Sequence, residues 1–209
     1  VEVETARAHF EAARRWGEHG EIHFRSAGLL RAREYALLEQ ARGVVDFYLG
    51  NFAAAERRLR NSLQYLPSDG EGQSGASSAA MHLALAELEL GHFDDAIAGL
   101  EQIRDRRVGA LGPAHPDVAA VLQNLGGAYM LAERWDDAMS TFERADAILL
   151  ETKGADYVGR LSLQVLLAEV ETSRGRPSVG LALVTQARAG LLDAFEPEYL
   201  GHAIADQQT

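Results

Sequence analysis

The feature that most constrains this chain is a recurrence with a step of 41–42 residues. Trp135-Asp136-Asp137-Ala138 has a counterpart in Phe93-Asp94-Asp95-Ala96, another in Phe52-Ala53-Ala54-Ala55, and a fourth in Phe10-Glu11-Ala12-Ala13. Pro177-Ser178-Val179-Gly180 continues the series. One slot thus reads Phe10, Phe52, Phe93, Trp135, Pro177, and the slot three residues later reads Ala13, Ala55, Ala96, Ala138, Gly180. A period of this length marks stacked supersecondary units, each unable to bury its apolar face alone.

Within a unit the apolar spacing is helical. Val118, Val121, Leu122, Leu125 and Tyr129 recur at i, i+3, i+4, i+7 and i+11, one stripe of a helix expected over 118–132. His115-Pro116-Asp117 opens it, because Pro suits a first turn that has no partner for its missing N–H and Asp complements the dipole. A second helix is expected over 135–151, with Ala138, Phe142, Ala145 and Leu149 inward and Lys153-Gly154 as its stop. The other pairs are expected at 31–49 with 52–66, 77–90 with 93–106, and 160–174 with 179–195. Residues 4–15 read as the second helix of a truncated unit, and Glu196-Pro197-Glu198-Tyr199 opens a further first helix. Small residues such as Gly126 and Ala138 stand where helices cross, with aromatics filling the space beside them. Residues 67–75 and 107–117 read as loops, and 21–49 as either one long helix or two broken near Gly28. The single domain 1–209 thus divides into a half repeat 1–16, repeats at about 21–66, 77–106, 118–151 and 160–195, and a partial repeat 196–209, as expected of a fragment of a larger protein.

These residues carry a resemblance. Leu125-Gly126, Tyr129, Ala138, Phe142 and Ala145 resemble the tetratricopeptide repeat signature. The long step, with Leu111-Gly112-Pro113-Ala114-His115-Pro116-Asp117 leading into Leu122-Gln123-Asn124-Leu125, is similar to the long-loop variant of kinesin light chains and many bacterial proteins. Arg42 departs from it by occupying a Leu slot. The resemblance implies an all-α fold, a right-handed superhelical array of antiparallel helix pairs. It also implies a protein- or peptide-binding scaffold whose first helices line a concave groove. The implied contact positions are Gln40, Val44, Phe47 and Tyr48, then Met81, Leu85, Leu88 and Glu89, then Gln123, Asn124, Gly127, Met130 and Leu131, then Val165, Glu169 and Thr172. Gln123 and Gly127 stand where a carboxylate-clamping Lys and Asn would be, so a chaperone-tail binder is not expected. The alternative is a ligand- or peptide-sensing regulatory domain of a larger transcriptional or signalling protein.

Composition narrows the field. The chain has 31 acidic and 20 basic residues, a net charge of −11, which disfavours direct nucleic-acid binding and suits a basic protein or peptide. It has no cysteine, which removes disulfides and thiolate sites. No apolar run is long enough for a membrane span, and Val1-Glu2-Val3-Glu4 lacks signal-peptide features, so a cytoplasmic location is expected. His19 and His23 share the i, i+4 spacing of a zinc helix, but Gly20-Glu21-Ile22 between them lacks the metalloprotease pattern. Asp94-Asp95 and Asp136-Asp137 recur with the fold period, as first-turn charge does and a catalytic pair does not. No nucleophile, base and orienter assemble, and no phosphate loop occurs. The expectation is therefore no enzyme, no metal and no cofactor, with self-association through the terminal half-repeats.

Overall fold

The computed structural model describes residues 2–29, 33–66, 73–155 and 157–194, and these are helical with no strand among them. The order is α1 (Glu2–Ser26), α2 (Arg33–Tyr48), α3 (Phe52–Leu63), α4 (Gln73–Glu89), α5 (Phe93–Leu111), α6 (Pro116–Leu131), α7 (Trp135–Lys153), α8 (Val158–Ser173) and α9 (Pro177–Ala194). The chain forms two compact units, Val1–Ile103 and Arg104–Thr209, described separately below.

Each pair, α2/α3, α4/α5, α6/α7 and α8/α9, closes through the same turn. Its second residue is Gly50, Gly91, Glu133 or Gly175, all in the left-handed region (φ 79, 78, 58 and 79°). The next amide reaches back five residues: Asn51 to the Asp46 carbonyl at 2.8 Å, His92 to Glu87 at 2.8 Å, Arg134 to Tyr129 at 2.8 Å, and Arg176 to Glu171 at 2.9 Å. This is the Schellman closure, which satisfies carbonyls that a helix end leaves orphaned. Glu133 is the one non-glycine with positive φ among the described residues, a conformation its Cβ disfavours.

Packing follows the small-residue slots. Ala55, Ala96 and Ala138 are fully buried. Across from them runs a second series, Gly43, Ala84, Gly126 and Ala168, on the first helices. A Cβ at Gly126 would run into the Phe142 ring, and one at Gly43 would lie 2.7 Å from Leu59 Cγ. Phe142, Leu59 and Leu100 occupy equivalent slots and all are fully buried. In the first unit a core of Ala36, Ala55, Leu59, Leu66, Ala76, Ala79 and Ala86 has Val44 and Phe47 packed against it.

Several boundaries differ from the sequence reading. α1 does not stop near residue 15 but runs to Ser26. Ala13 is exposed, because α1 meets α2 through Gly17 and Gly20 instead. The break within 21–49 falls at Gly28, whose φ is +70°, so two helices form there. Arg107–Leu111 is not loop but the last turns of α5, which stops only at Gly112, φ +87°. Gln73, Ser74 and Gly75 likewise belong to α4, while 67–72 lie outside the described residues, as do 195–209 and the first helix expected to begin there. α6 opens as expected: His115 is its N-cap, its Nδ1 accepting from the Asp117 amide at 3.1 Å.

Candidate interaction faces and the buried charge chain

The sixteen positions that the resemblance implied as contacts all fall on the first helices α2, α4, α6 and α8, and none is buried. In the first unit, Val44 and Phe47 also pack on the core, so their side chains are shared between folding and surface. Tyr48 is 57% exposed, with one ring face stacked on Phe10 of α1 at 5.1 Å and 14°. Phe47 lies edge-on to Tyr48 at 5.5 Å, and His82 of α4 stands 6.0 Å from Tyr48. The His82 Nδ1 donates to the Ser78 carbonyl at 2.9 Å, since a carbonyl can only accept. Gln40, Met81, Leu85, Leu88 and Glu89 complete this face.

In the second unit, Gln123, Asn124, Gly127 and Met130 are half-buried on α6, and Leu131 is 55% exposed at its end. Val165, Glu169 and Thr172 are exposed on α8. Thr172 Oγ1 donates to the Ala168 carbonyl at 2.8 Å, which ties it to its own helix. Neither face's set contains a lysine or arginine, and each has one carboxylate, Glu89 or Glu169.

The least expected feature is buried. Arg42, in a slot otherwise held by Leu, is 5% exposed. It donates to Glu21 of α1 and to Glu39 of its own helix, the latter at 3.2 Å. Glu39 also accepts from Arg58 of α3 at 2.9 Å, and Arg58 Nε donates to Asp46 at 2.8 Å. The chain Glu21–Arg42–Glu39–Arg58–Asp46 therefore links three helices. Buried charges persist only when paired in this way. The arginine stem finds room because Gly17 of α1 stands where α3, α5 and α7 carry Leu59, Leu100 and Phe142. A Cβ at Gly17 would lie 2.6 Å from Arg42 Cγ.

A second buried position is equally periodic. The Tyr129 slot is filled by Asp46, Glu87 and Glu171 in the other pairs, all buried. Glu87 pairs with Arg60 at 2.9 Å, and Glu171 pairs with Arg176 at 2.6 Å. Tyr129 instead has the Arg134 guanidinium 4.6 Å above its ring. Burial pushes the Glu87 carboxyl above its ordinary pKa, against the pull of Arg60. Glu21 moves the other way, lowered chiefly by its hydrogen bond from Arg42. The sequence reading missed these acids, although the slot lies in register with Tyr129.

His19 and His23 are exposed on α1, with His19 Nδ1 2.8 Å from the Arg15 carbonyl. Asp94-Asp95 and Asp136-Asp137 sit in the first turns of α5 and α7.

The turns, crossings and register define an all-helical protein built from repeated helix hairpins. Residues 75–151 match the tetratricopeptide repeat family model. Kinesin Light Chain-Related 2 of Arabidopsis thaliana is 26% identical over 151 residues, 71% of this chain but 23% of that protein, so the aligned region spans under a quarter of the relative. Among solved structures, the nearly identical TPR-like repeats of a kinesin light chain-like protein from Podosopora anserina superpose with a TM-score of 0.72 at 21% identity, covering 93% of this chain and 99% of that one. A Rap protein complexed with Competence and Sporulation Factor gives 0.61 at 15% identity, covering 90% and 50%. At these identities the structures establish the fold.

Proposed function

We propose that the chain is a non-catalytic scaffold that holds a protein or peptide segment against its first-helix faces, and that the segment is apolar with basic residues. The carrying observation is that all sixteen first-helix positions stay solvent-accessible while their helices' other sides are buried. Exposed Tyr48 beside Gln40 on the first unit's face, and exposed Leu131 and Val165 with Gln123 and Asn124 on the second unit's, each suit peptide capture, because aromatic and apolar anchors supply contact area and amides satisfy backbone groups. The absence of lysine and arginine from both sets, with a net charge of −11, favours a basic partner.

A peptide array probed with the full chain, with Tyr48→Ala and Asn124→Ala, tests this. Each substitution is expected to weaken capture at least about tenfold, on the scale of an interface anchor. Unchanged binding in both, with helicity intact, would sink the assignment. The second reading, a sensing domain of a larger regulator, draws on the Rap structure, where a protein of this fold is complexed with a factor. A ligand-dependent change in amide exchange away from the contact face would favour it.

A further inference from the structure

Five rings meet in the first unit, and α1, α2, α3 and α4 all contribute to them. Phe10 of α1 stacks flat on Tyr48 of α2 at 5.1 Å and 14°. Phe47 meets Tyr48, Phe52 of α3 and His82 of α4 edge-on at 5.5, 5.6 and 5.8 Å. His82 also stands 6.0 Å from Tyr48. The cluster is not part of the repeat. The slots of Phe47 and Tyr48 hold Leu88 and Glu89, Met130 and Leu131, and Thr172 and Ser173 in the other pairs. Those pairs close through the same turn, so folding alone does not call for aromatics here. Tyr48 is 57% exposed although three rings touch it.

An exposed ring held in place by its neighbours is a preorganised platform, because little side-chain freedom is lost when a ligand settles on it. A tyrosine π-face attracts cations, and a guanidinium suits it well, being planar and weakly hydrated. The same contact occurs within the second unit, where the Arg134 guanidinium lies 4.6 Å above the Tyr129 ring. The surroundings favour a donor of positive charge. His82 gives its Nδ1 proton to the Ser78 carbonyl, so Nε2 of that neutral tautomer is an acceptor for a guanidinium N–H. Exposed Glu89 lies seven residues beyond His82 on the same stripe of α4, about 10 Å along the helix. The geometry points to Tyr48, backed by Phe10 and flanked by His82, as the seat of an arginine side chain from the captured segment. On the scaffold reading above, on which this rests, the ring cluster gives the first unit a specificity that the second unit's Met130 and Leu131 lack.

The test uses the full chain against an array of leucine- and alanine-based peptides, each carrying one arginine, with a matched set carrying the neutral isostere citrulline. The parent is expected to prefer arginine over citrulline at least about threefold in its best peptide, the scale of an exposed cation–π contact. Tyr48→Phe should keep that preference, and Tyr48→Leu, which retains apolar bulk but no π-face, should abolish it while still holding the citrulline peptide. Equal binding of arginine and citrulline by the parent would overturn the assignment. So would a preference that survives Tyr48→Leu and disappears in Glu89→Gln, which would place recognition on the carboxylate. Capture of no peptide at all by the parent would bring down the scaffold reading, and the arginine seat with it.

Discussion

The α6/α7 hairpin and the α2/α3 hairpin have the same backbone and the same turn but different interiors. In α6/α7 the crossing is apolar: Leu125, Gly126 and Phe142 are all buried there. In α2/α3 the Leu125 slot holds Arg42, and the slot one helical turn earlier in α2 holds Glu39. The difference shows that this fold fixes how closely backbones approach but not the polarity of what fills the space. A charged filling works when its stem has room and its head is paired, and Gly17, Glu21 and Glu39 meet both needs.

The hardest test of this contrast is Arg42→Ala. It empties the space over Gly17 and strands Glu39 and Glu21, so about 3–5 kcal/mol of stability should be lost. Chemical denaturation read by circular dichroism measures it; a loss under about 1 kcal/mol, the scale of a surface ion pair, would mean the chain is solvated in solution.

Gly126→Ala comes next. Its Cβ would drive into the Phe142 ring, and overpacking of this kind costs about 1–3 kcal/mol. Gly127→Ala, one residue on, meets nothing within 4 Å and should instead stabilise by up to about 1 kcal/mol through helix propensity. Equal effects at the two positions would remove the argument from close approach. Gly43→Ala should resemble Gly126→Ala, because Leu59 stands against it as Phe142 stands against Gly126.

The smallest stability changes concern a turn and a proton. Glu133→Gly should stabilise by up to about 1 kcal/mol, since the other three hairpin turns already use Gly at that left-handed position. Glu21, whose folded pKa is lowered by Arg42, contributes stability that is present above its unfolded pKa and lost as pH falls through the folded one. Glu21→Gln should therefore be less stable than the parent at neutral pH, with the gap closing in acid. A gap that persists at low pH would mean the loss is one of packing rather than charge.

Much of the fold was legible because the repeat reads out one slot at a time. Trp135, Ala138, Phe142 and the Pro116-Asp117 start each state their role alone, and the helices they predict lie within a few residues of those found. Arg42 could not be read that way. Seen by itself it is a charge in an apolar slot; its sense depends on Gly17, in a different slot of a different helix, and on Glu39 and Glu21. Ala13 failed for a related reason: it keeps the spelling of a crossing residue, but α1 makes its close glycine approaches to α2 at Gly17 and Gly20. The ring of Phe10 against Tyr48 joins helices that no single-slot reading connects.

The shared hairpin turn has a consequence for anyone who would cut or splice this chain. Three residues and one fixed hydrogen bond set the phase of each second helix against its first. One residue added there would swing the following helix by about 100° about its axis and turn its small-residue face away from its partner. The segments that join one hairpin to the next obey no such rule. They already differ in length, four residues between α5 and α6 against nine between α3 and α4. Insertions, tags and grafted segments belong in those joints, and whole hairpins are the units in which the chain can be lengthened or exchanged.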